Sequence, residues 1–176
     1  MEQINIFTDG SAINNGKSNA SGGIGIYMAE LNFKLSLPYL IELATNQRCE
    51  LYAILRALEI YLAMSLDRQI PKSIRIHSDS MYSINVCSKW IPGWKKKDWK
   101  TADGKEVKNL CLIQQIDHIQ SLYYRSGVKI EYFFVGSHLD EPTSKRSLEY
   151  FRWKGNNVAD GLAKKASVSY LKRFNL

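Results

Sequence analysis

An acid set into a first strand constrains this chain more than any other feature. Residues 3 to 8 alternate Ile4, Ile6 and Thr8 against Gln3, Asn5 and Phe7, the period of two that builds a pleated strand. Asp9 breaks the pattern inside Phe7-Thr8-Asp9-Gly10-Ser11. An ionised carboxylate in a sheet core costs several kcal/mol unless it is paired or binds a metal. Taken alone, Asp9-Gly10 reads equally as a turn after a short strand. What separates the two readings is the company Asp9 keeps further along.

The following segments repeat the same logic. Asn14-Asn15-Gly16 marks a turn, Gly22 to Tyr27 resumes as a strand whose glycines imply close backbone approach or a bulge, and Phe33 to Leu37 alternates again, ending near Pro38. Three strands with short connections predict an antiparallel meander. From Thr45 the period changes: Leu51, Ile54, Leu55, Leu58 and Leu62 fall on one face of an amphipathic helix that Thr45 or Asn46 can cap. Glu50 lies at the edge of that face, near the helix start, where a solvated first-turn Glu is the plain alternative. Ser73 to His77 is a short strand running into Ser78-Asp79-Ser80, and an acid at the carboxyl end of a strand is where open α/β sheets place their chemistry. Asp79 also reads as an N-cap, with Ser80 competing for that role.

Between these and the last elements, Trp90, Trp94 and Trp99 interleave with Lys95, Lys96, Lys97 and Lys100. Clustered lysines stay in water while tryptophan seeks burial, so a basic ledge with aromatic floors is predicted, suited to a nucleic-acid backbone; a solvated loop anchored by core tryptophans is the alternative. Val107 to about Tyr124 carries helical spacing, Val128 to Val135 a strand, and Gly155 to Lys164 opens a final helix with Asp160 in its first turns. The order predicts an α/β fold: a mixed sheet with an antiparallel and a parallel limb, helices on its faces.

Size and composition bound the rest. A chain of 176 residues supports one core, so 1–176 is expected to be a single domain. No apolar stretch approaches the length of a membrane span and no basic-then-apolar leader precedes the first strand, so an intracellular, cytoplasmic protein without membrane partners is expected. No partner-binding tail is visible, which favours a monomer. Cys49, Cys87 and Cys111 lack the spacing of a disulfide framework or zinc site and are read as small buried hydrophobes. Lys and Arg total 24 against 17 Asp and Glu, a net charge of +7 that suits a polyanionic partner.

On the predicted layout Asp9, Glu50, Asp79 and Asp160 can converge on one patch. Carboxylates gathered in a low-dielectric site repel one another, and a divalent cation is the usual resolution. Oxygen ligands without His or Cys point to magnesium or manganese, and two such ions about 4 Å apart are a known solution for phosphodiester hydrolysis.

Thr8-Asp9-Gly10-Ser11, Thr45-Asn46-Gln47-Arg48-Cys49-Glu50, Ser78-Asp79-Ser80 and Asn157-Val158-Ala159-Asp160, in this order over nearly the whole chain, resemble type 1 ribonuclease H. Trp94 to Asp103 and Val107-Lys108-Asn109 resemble the basic protrusion, or handle, of its cellular members, here about residues 90–108. The resemblance implies a ribonuclease H-like five-stranded sheet, three antiparallel strands followed by parallel ones, and two-metal-ion hydrolysis of the RNA strand of an RNA–DNA hybrid to 5′-phosphate and 3′-hydroxyl ends. It implies magnesium as the cofactor, two ions with manganese as a substitute, held by Asp9, Glu50, Asp79 and Asp160. Glu50 would also touch a ribose 2′-hydroxyl, and His138 would assist proton transfer or product release. Substrate would meet Gly10, Ser11, Asn15, Thr45, Asn46 and Gln47 on one side and Trp90, Trp94, Lys95, Lys96, Lys97 and Lys100 on the other. A DNA-directed or integrase-like nuclease with the same acidic core, and a non-catalytic hybrid-binding module, are the rival readings.

The sequence departs from the family in three places. The 21 residues 139–159 between His138 and Asp160 exceed the family's usual connection, which bears on the placement of His138. Met81 stands where members often carry Gln, and Gly93 where some carry Asn.

Overall fold

The computed structural model describes residues 2–65, 73–136 and 139–174. Three antiparallel strands come first, β1 (Gln3–Ile13), β2 (Ser21–Met28) and β3 (Phe33–Tyr39), then α1 (Asn46–Ser65) and β4 (Ser73–Ser78). Next are α2 (Met81–Asn85), a π-helical turn (Val86–Trp90), α3 (Ile91–Lys96), α4 (Leu110–Arg125), β5 (Lys129–Phe134) and α5 (Leu148–Phe174). The strands form one sheet in the order β3-β2-β1-β4-β5, with β1–β2 and β2–β3 antiparallel and β1–β4 and β4–β5 parallel. Both limbs predicted from the sequence are present. Pro38 lies in the edge strand β3, where a missing ladder donor is tolerated.

The sheet is clothed on both faces, α1 and α4 on one, α5 on the other. Ile4, Ile6, Ile24, Ile26, Met28, Ile74 and Ile76 are buried against Leu51, Ile54, Leu55 and Leu58 of α1 and against Ile113 and Ile116 of α4. The Tyr123 hydroxyl donates to the Leu58 carbonyl at 2.7 Å and ties these two helices together.

Glycines fix how near the helices come. A methyl group at Gly10 would collide with the Glu50 backbone nitrogen, and one at Gly25 with the Ala159 carbonyl oxygen. Close approach, not a bulge, is therefore what the β2 glycines provide. Ala159, Ala163 and Ala166 give α5 the matching flat stripe.

Several boundaries differ from expectation. Thr45, not Asn46, caps α1, its Oγ1 accepting from the Arg48 amide at 3.2 Å. The α5 helix begins at Leu148 rather than near Gly155, with the Ser147 hydroxyl accepting from the Tyr150 amide at 3.0 Å, so Asp160 sits in its fourth turn and not its first. Much of the long connection after His138 is thus helix. Val107 lies before α4; its side chain is buried in the core and its amide donates to the Trp99 carbonyl at 3.2 Å. Cys49 and Cys87 are buried as read, whereas Cys111 is exposed, being on the outer side of α4. Among the described residues no helix is long and apolar enough to cross a membrane.

Candidate active site

Pairing between β1 and β4 ends at Phe7 opposite His77, while β1 goes on pairing with β2 as far as Ile13. The two parallel strands therefore part, and the residues two places beyond the last pair are Asp9 and Asp79. An opening at the carboxyl ends of parallel strands is lined by whatever side chains follow the last ladder pair. Glu50 enters it from the α1 side, over the bare backbone of Gly10. Ligand oxygens of Asp9, Glu50 and Asp79 lie within 4.8 Å of one another. Asp9 and Glu50 are buried and Asp79 is half-buried.

Nothing neutral explains this cluster. Among the described residues, Asp9 and Glu50 make no ion pair. Burial, and after it the charges of Asp79 and Asp160, raise the Asp9 carboxyl from 3.8 to about 7. Burial and then the charges of Asp9 and Asp79 push Glu50 well above the ordinary carboxylate range. A hydrogen bond between the two lowers Asp9 and raises Glu50, so of the pair Glu50 holds its proton the more firmly. Buried carboxylates that must otherwise hold protons at neutral pH are a donor set that fits a hard divalent ion.

Asp160 is close to this group but engaged elsewhere. Its Oδ2 accepts from Lys164 Nζ at 2.8 Å, one turn along α5. Asn156, one turn earlier, is buried and aims its Nδ2 at Asp79 Oδ2 across 3.4 Å, leaving its Oδ1 without a partner. Ser80 caps α2 through the Ser83 amide, which frees the Asp79 carboxylate for the opening. His138 lies outside the described residues.

The remaining residues singled out from the sequence form two groups. Gly10 is packed against α1, and its amide donates toward the acids. Ser11 Oγ accepts from Ser167 Oγ at 3.4 Å. The Asn46 amide donates to Asn15 Oδ1 at 3.0 Å and Asn46 Oδ1 accepts from the Ala12 amide at 2.9 Å, joining the end of β1 to the start of α1. Asn15, Thr45, Asn46 and Gln47 line a cleft of about 560 Å³ together with Arg48, Lys108 and Asn109. Those last three fall within the motifs quoted above but were not assigned to the substrate, because nothing local shows that residues 108–109 fold back beside the start of α1. Lys108, and Arg48 where it is not held by Glu42 at 3.0 Å, bring to this polar cleft the positive charge that an anionic phosphate requires.

In the handle, Trp90 is 39% exposed and packs its edge against Tyr82, with ring centroids 6.0 Å apart. Trp94 and Trp99 pack against the core. Lys95 pairs with Asp117 at 2.9 Å, and Lys100 bridges to Glu106 through the backbone. Lys95 and Lys96 with Pro92 line a groove with Arg125 and Asp117, whereas Trp90 and Trp94 pack on each other with ring centroids 5.6 Å apart and Lys97, just past the end of α3, is not among the groove's lining. The predicted ledge is therefore divided, with Lys95 and Lys96 in the groove and Lys97 outside it. A π-helical turn re-aims the segment: the Ile91 amide reaches back to the Val86 carbonyl, and the freed Cys87 carbonyl accepts from Gln120 Nε2 at 3.1 Å.

The sequence model of the RNase H family matches residues 1–168. Ribonuclease H of Edwardsiella ictaluri is 33% identical over 152 residues, covering 86% of this chain and 89% of that protein. Ribonuclease H of Schizosaccharomyces pombe is 35% identical over 163 residues, covering 92% of this chain and 52% of that protein; the chain spans about half the length of such eukaryotic relatives. Among solved structures, the foamy viral protease-reverse transcriptase in complex with dsDNA matches at a TM-score of 0.65 and 26% identity, with 94% of each chain covered. LC11-RNase H1 in complex with RNA/DNA hybrid matches at 0.62 and 21%, covering 96% of this chain and 99% of that one. Sequence match and sheet order agree over nearly the whole length, and this chain belongs to the RNase H family as a type 1 ribonuclease H.

Proposed function

We propose that this chain is an endonuclease hydrolysing the RNA strand of RNA–DNA hybrids by two-metal-ion catalysis, leaving 5′-phosphate and 3′-hydroxyl ends. The observation that carries the reading is the convergence of Asp9, Glu50 and Asp79 where β1 and β4 part, in a chain of this family. The hybrid bound to LC11-RNase H1 supports the choice of substrate.

Asp9, Glu50 and Asp79 would hold one magnesium ion, and Asp9 with Asp160 the other; manganese has the same ligand chemistry. When bound, such ions supply an activated water and neutralise charge on the leaving oxygen. The chain's own groups do the rest. Asp9 and Asp79 supply fixed negative charge at the strand ends, and Asn156 orients Asp79 from α5. Glu50 is near enough to the opening to accept a ribose 2′-hydroxyl, the group by which a protein tells RNA from DNA. His138 would move a proton to or from the scissile group. Trp90 and Lys97 on the handle and Lys108 in the polar cleft would position the hybrid. In this reading residues 1–176 form one catalytic domain with the handle at 90–108 as its substrate-binding extension, acting as an intracellular monomer.

Incubation with magnesium and a hybrid labelled on either strand tests this directly. Cleavage confined to the RNA strand, with 3′-hydroxyl products that a polymerase extends, is the outcome expected. Equal cutting of double-stranded DNA would instead favour an integrase-like nuclease, and hybrid binding without turnover a non-catalytic module.

A further inference from the structure

The acid cluster is not without a cation of its own. Lys164 Nζ lies 2.8 Å from Asp160 Oδ2, and the charges of Asp9 and Asp79 also act on it. Among the described residues it is the one cation paired with any of the four acids. Asp160 is also the one acid that does not join the three whose oxygens gather within 4.8 Å. A carboxylate holding an ammonium has that oxygen occupied. A divalent ion using Asp160 Oδ2 must displace Lys164, whose side chain is 55% exposed and whose flexible stem can swing into water, and one using Oδ1 meets a carboxylate whose charge the ammonium already offsets.

We propose that Lys164 is a positioning residue that holds Asp160 in reserve and so separates the affinities of the two metal ions. The first ion meets Asp9, Glu50 and Asp79 with no ammonium to displace, only the protons these buried acids hold. The second competes with a tethered ammonium for Asp160, and binds more weakly by the strength of that ion pair. Without metal, the same ammonium offsets repulsion along the edge of the cluster, which gives the chain a reason to keep a cation where a cofactor is to go. This rests on reading the acids as a metal site, and the experiment separates the failure of one from the failure of the other.

Manganese, counted by the electron paramagnetic resonance of the free ion, is titrated into the metal-free full chain as wild type, Lys164→Met, Lys164→Arg and Lys165→Met. The Lys165 variant makes the same charge change on the same helix at a residue outside the described ion pairs, so it controls for net charge. In Lys164→Met the tighter dissociation constant should stay within about twofold while the weaker one falls about two- to fivefold, the range an exposed ion pair commands. Lys164→Arg should restore the wild-type separation, and Lys165→Met should leave it unchanged. Lys164→Met should also melt below wild type without metal and regain that difference at saturating manganese. A weaker constant unchanged in Lys164→Met, a shift equalled by Lys165→Met, or a single bound ion throughout would overturn the inference. Failure of wild type to bind any ion would overturn the metal-site reading along with it.

Discussion

At the scale of the residue, the opening between β1 and β4 asks opposite things of its acids before and after a cation arrives. Asp9 and Glu50 are costly where they stand, burial being the largest cause and the neighbouring acids the next. That cost is a sign of selection for chemistry rather than for stability. Asp9→Asn or Asp79→Asn should therefore abolish turnover of a hybrid while binding survives or tightens, since removing a charge that faces phosphate lowers repulsion as it disables the ion site. Gel-shift and cleavage assays on the same preparation separate the two effects, and weakened binding with a retained fold would contradict the assignment. His138→Ala should slow the reaction by no more than roughly 10²–10⁴-fold, the range of general acid–base assistance. Total loss of single-turnover cleavage with intact metal binding would give His138 a larger part. The identity of the four acids was legible because each breaks a local pattern or recurs in the family's order. The Asn156 contact to Asp79 and the hold of Lys164 on Asp160 were not, since both depend on the phase of a helix whose start the sequence placed seven residues late.

At the scale of the element, the acids meet because helices lie unusually close to strands. Asp9 stands opposite Gly25 in the β1–β2 register, and Gly25 lies under Ala159, next to Asp160. Gly25→Ala should push α5 outward at the turn that carries Asp160. The expected result is a loss of stability of about 1–3 kcal/mol, typical of overpacking, with a further loss of activity in molecules that remain folded. Urea denaturation beside kcat at saturating hybrid checks this; destabilisation with unchanged kcat would show that α5 re-seats without moving Asp160. The glycines announced close approach in the sequence, but which helix approached was a tertiary fact. The handle shows the same limit. Its composition pointed to a nucleic-acid contact, yet only the folded chain shows that Lys95 is engaged with Asp117 in a groove that Lys97 does not line. Each phosphate contact contributes roughly 0.7 to 0.9 to the slope of log affinity against log salt. Lys97→Ala should flatten that slope by about one such increment and raise the half-saturating hybrid concentration more than it lowers kcat, whereas Lys95→Ala should change the slope by much less. Equal effects of the two, measured by fluorescence anisotropy from low to moderate salt, would mean that the hybrid reaches the groove lined by Lys95 as well as Lys97.

At the scale of the whole molecule, the element order and the sheet with its two limbs were readable from periodicity, because one buried face per strand and one apolar stripe per helix are enough to fix them. The sum of charges inside that fold was not, because it depends on which ionisable groups the packing buries. Two of them oppose each other in the dependence of stability on pH. Asp9 is raised from 3.8 to about 7 by burial first and the neighbouring acids second, so the metal-free native state holds a proton that the unfolded chain has released. Its contribution to stability is fully present below pH 3.8 and is lost as pH rises through about 7, and Glu50 acts in the same direction. His77, stacked between Phe7 and Phe133 with Nε2 2.9 Å from Asn5 Oδ1, is lowered from 6.5 to about 4 by burial and then by Arg152 and Arg75. Its contribution is fully present above pH 6.5 and is lost as pH falls through about 4. The slopes oppose each other between about pH 4 and 6.5, and a wild-type curve alone hides both. Asp9→Asn removes one and keeps the other. In EDTA the variant should gain stability over wild type between pH 5 and pH 8, by on the order of 1–3 kcal/mol, since a tenfold change in proton affinity is worth about 1.36 kcal/mol and the proton shared with Glu50 absorbs part of it. At pH 8 magnesium should then stabilise wild type and leave the variant nearly unchanged, because only the ionised cluster gains from an ion that binds the folded state. Urea denaturation at the two pH values, with and without magnesium, gives four differences for two proteins. A stability difference in EDTA that stays constant from pH 5 to pH 8 would mean that Asp9 is already ionised in the metal-free protein, and that its burial is relieved by some group other than a cation.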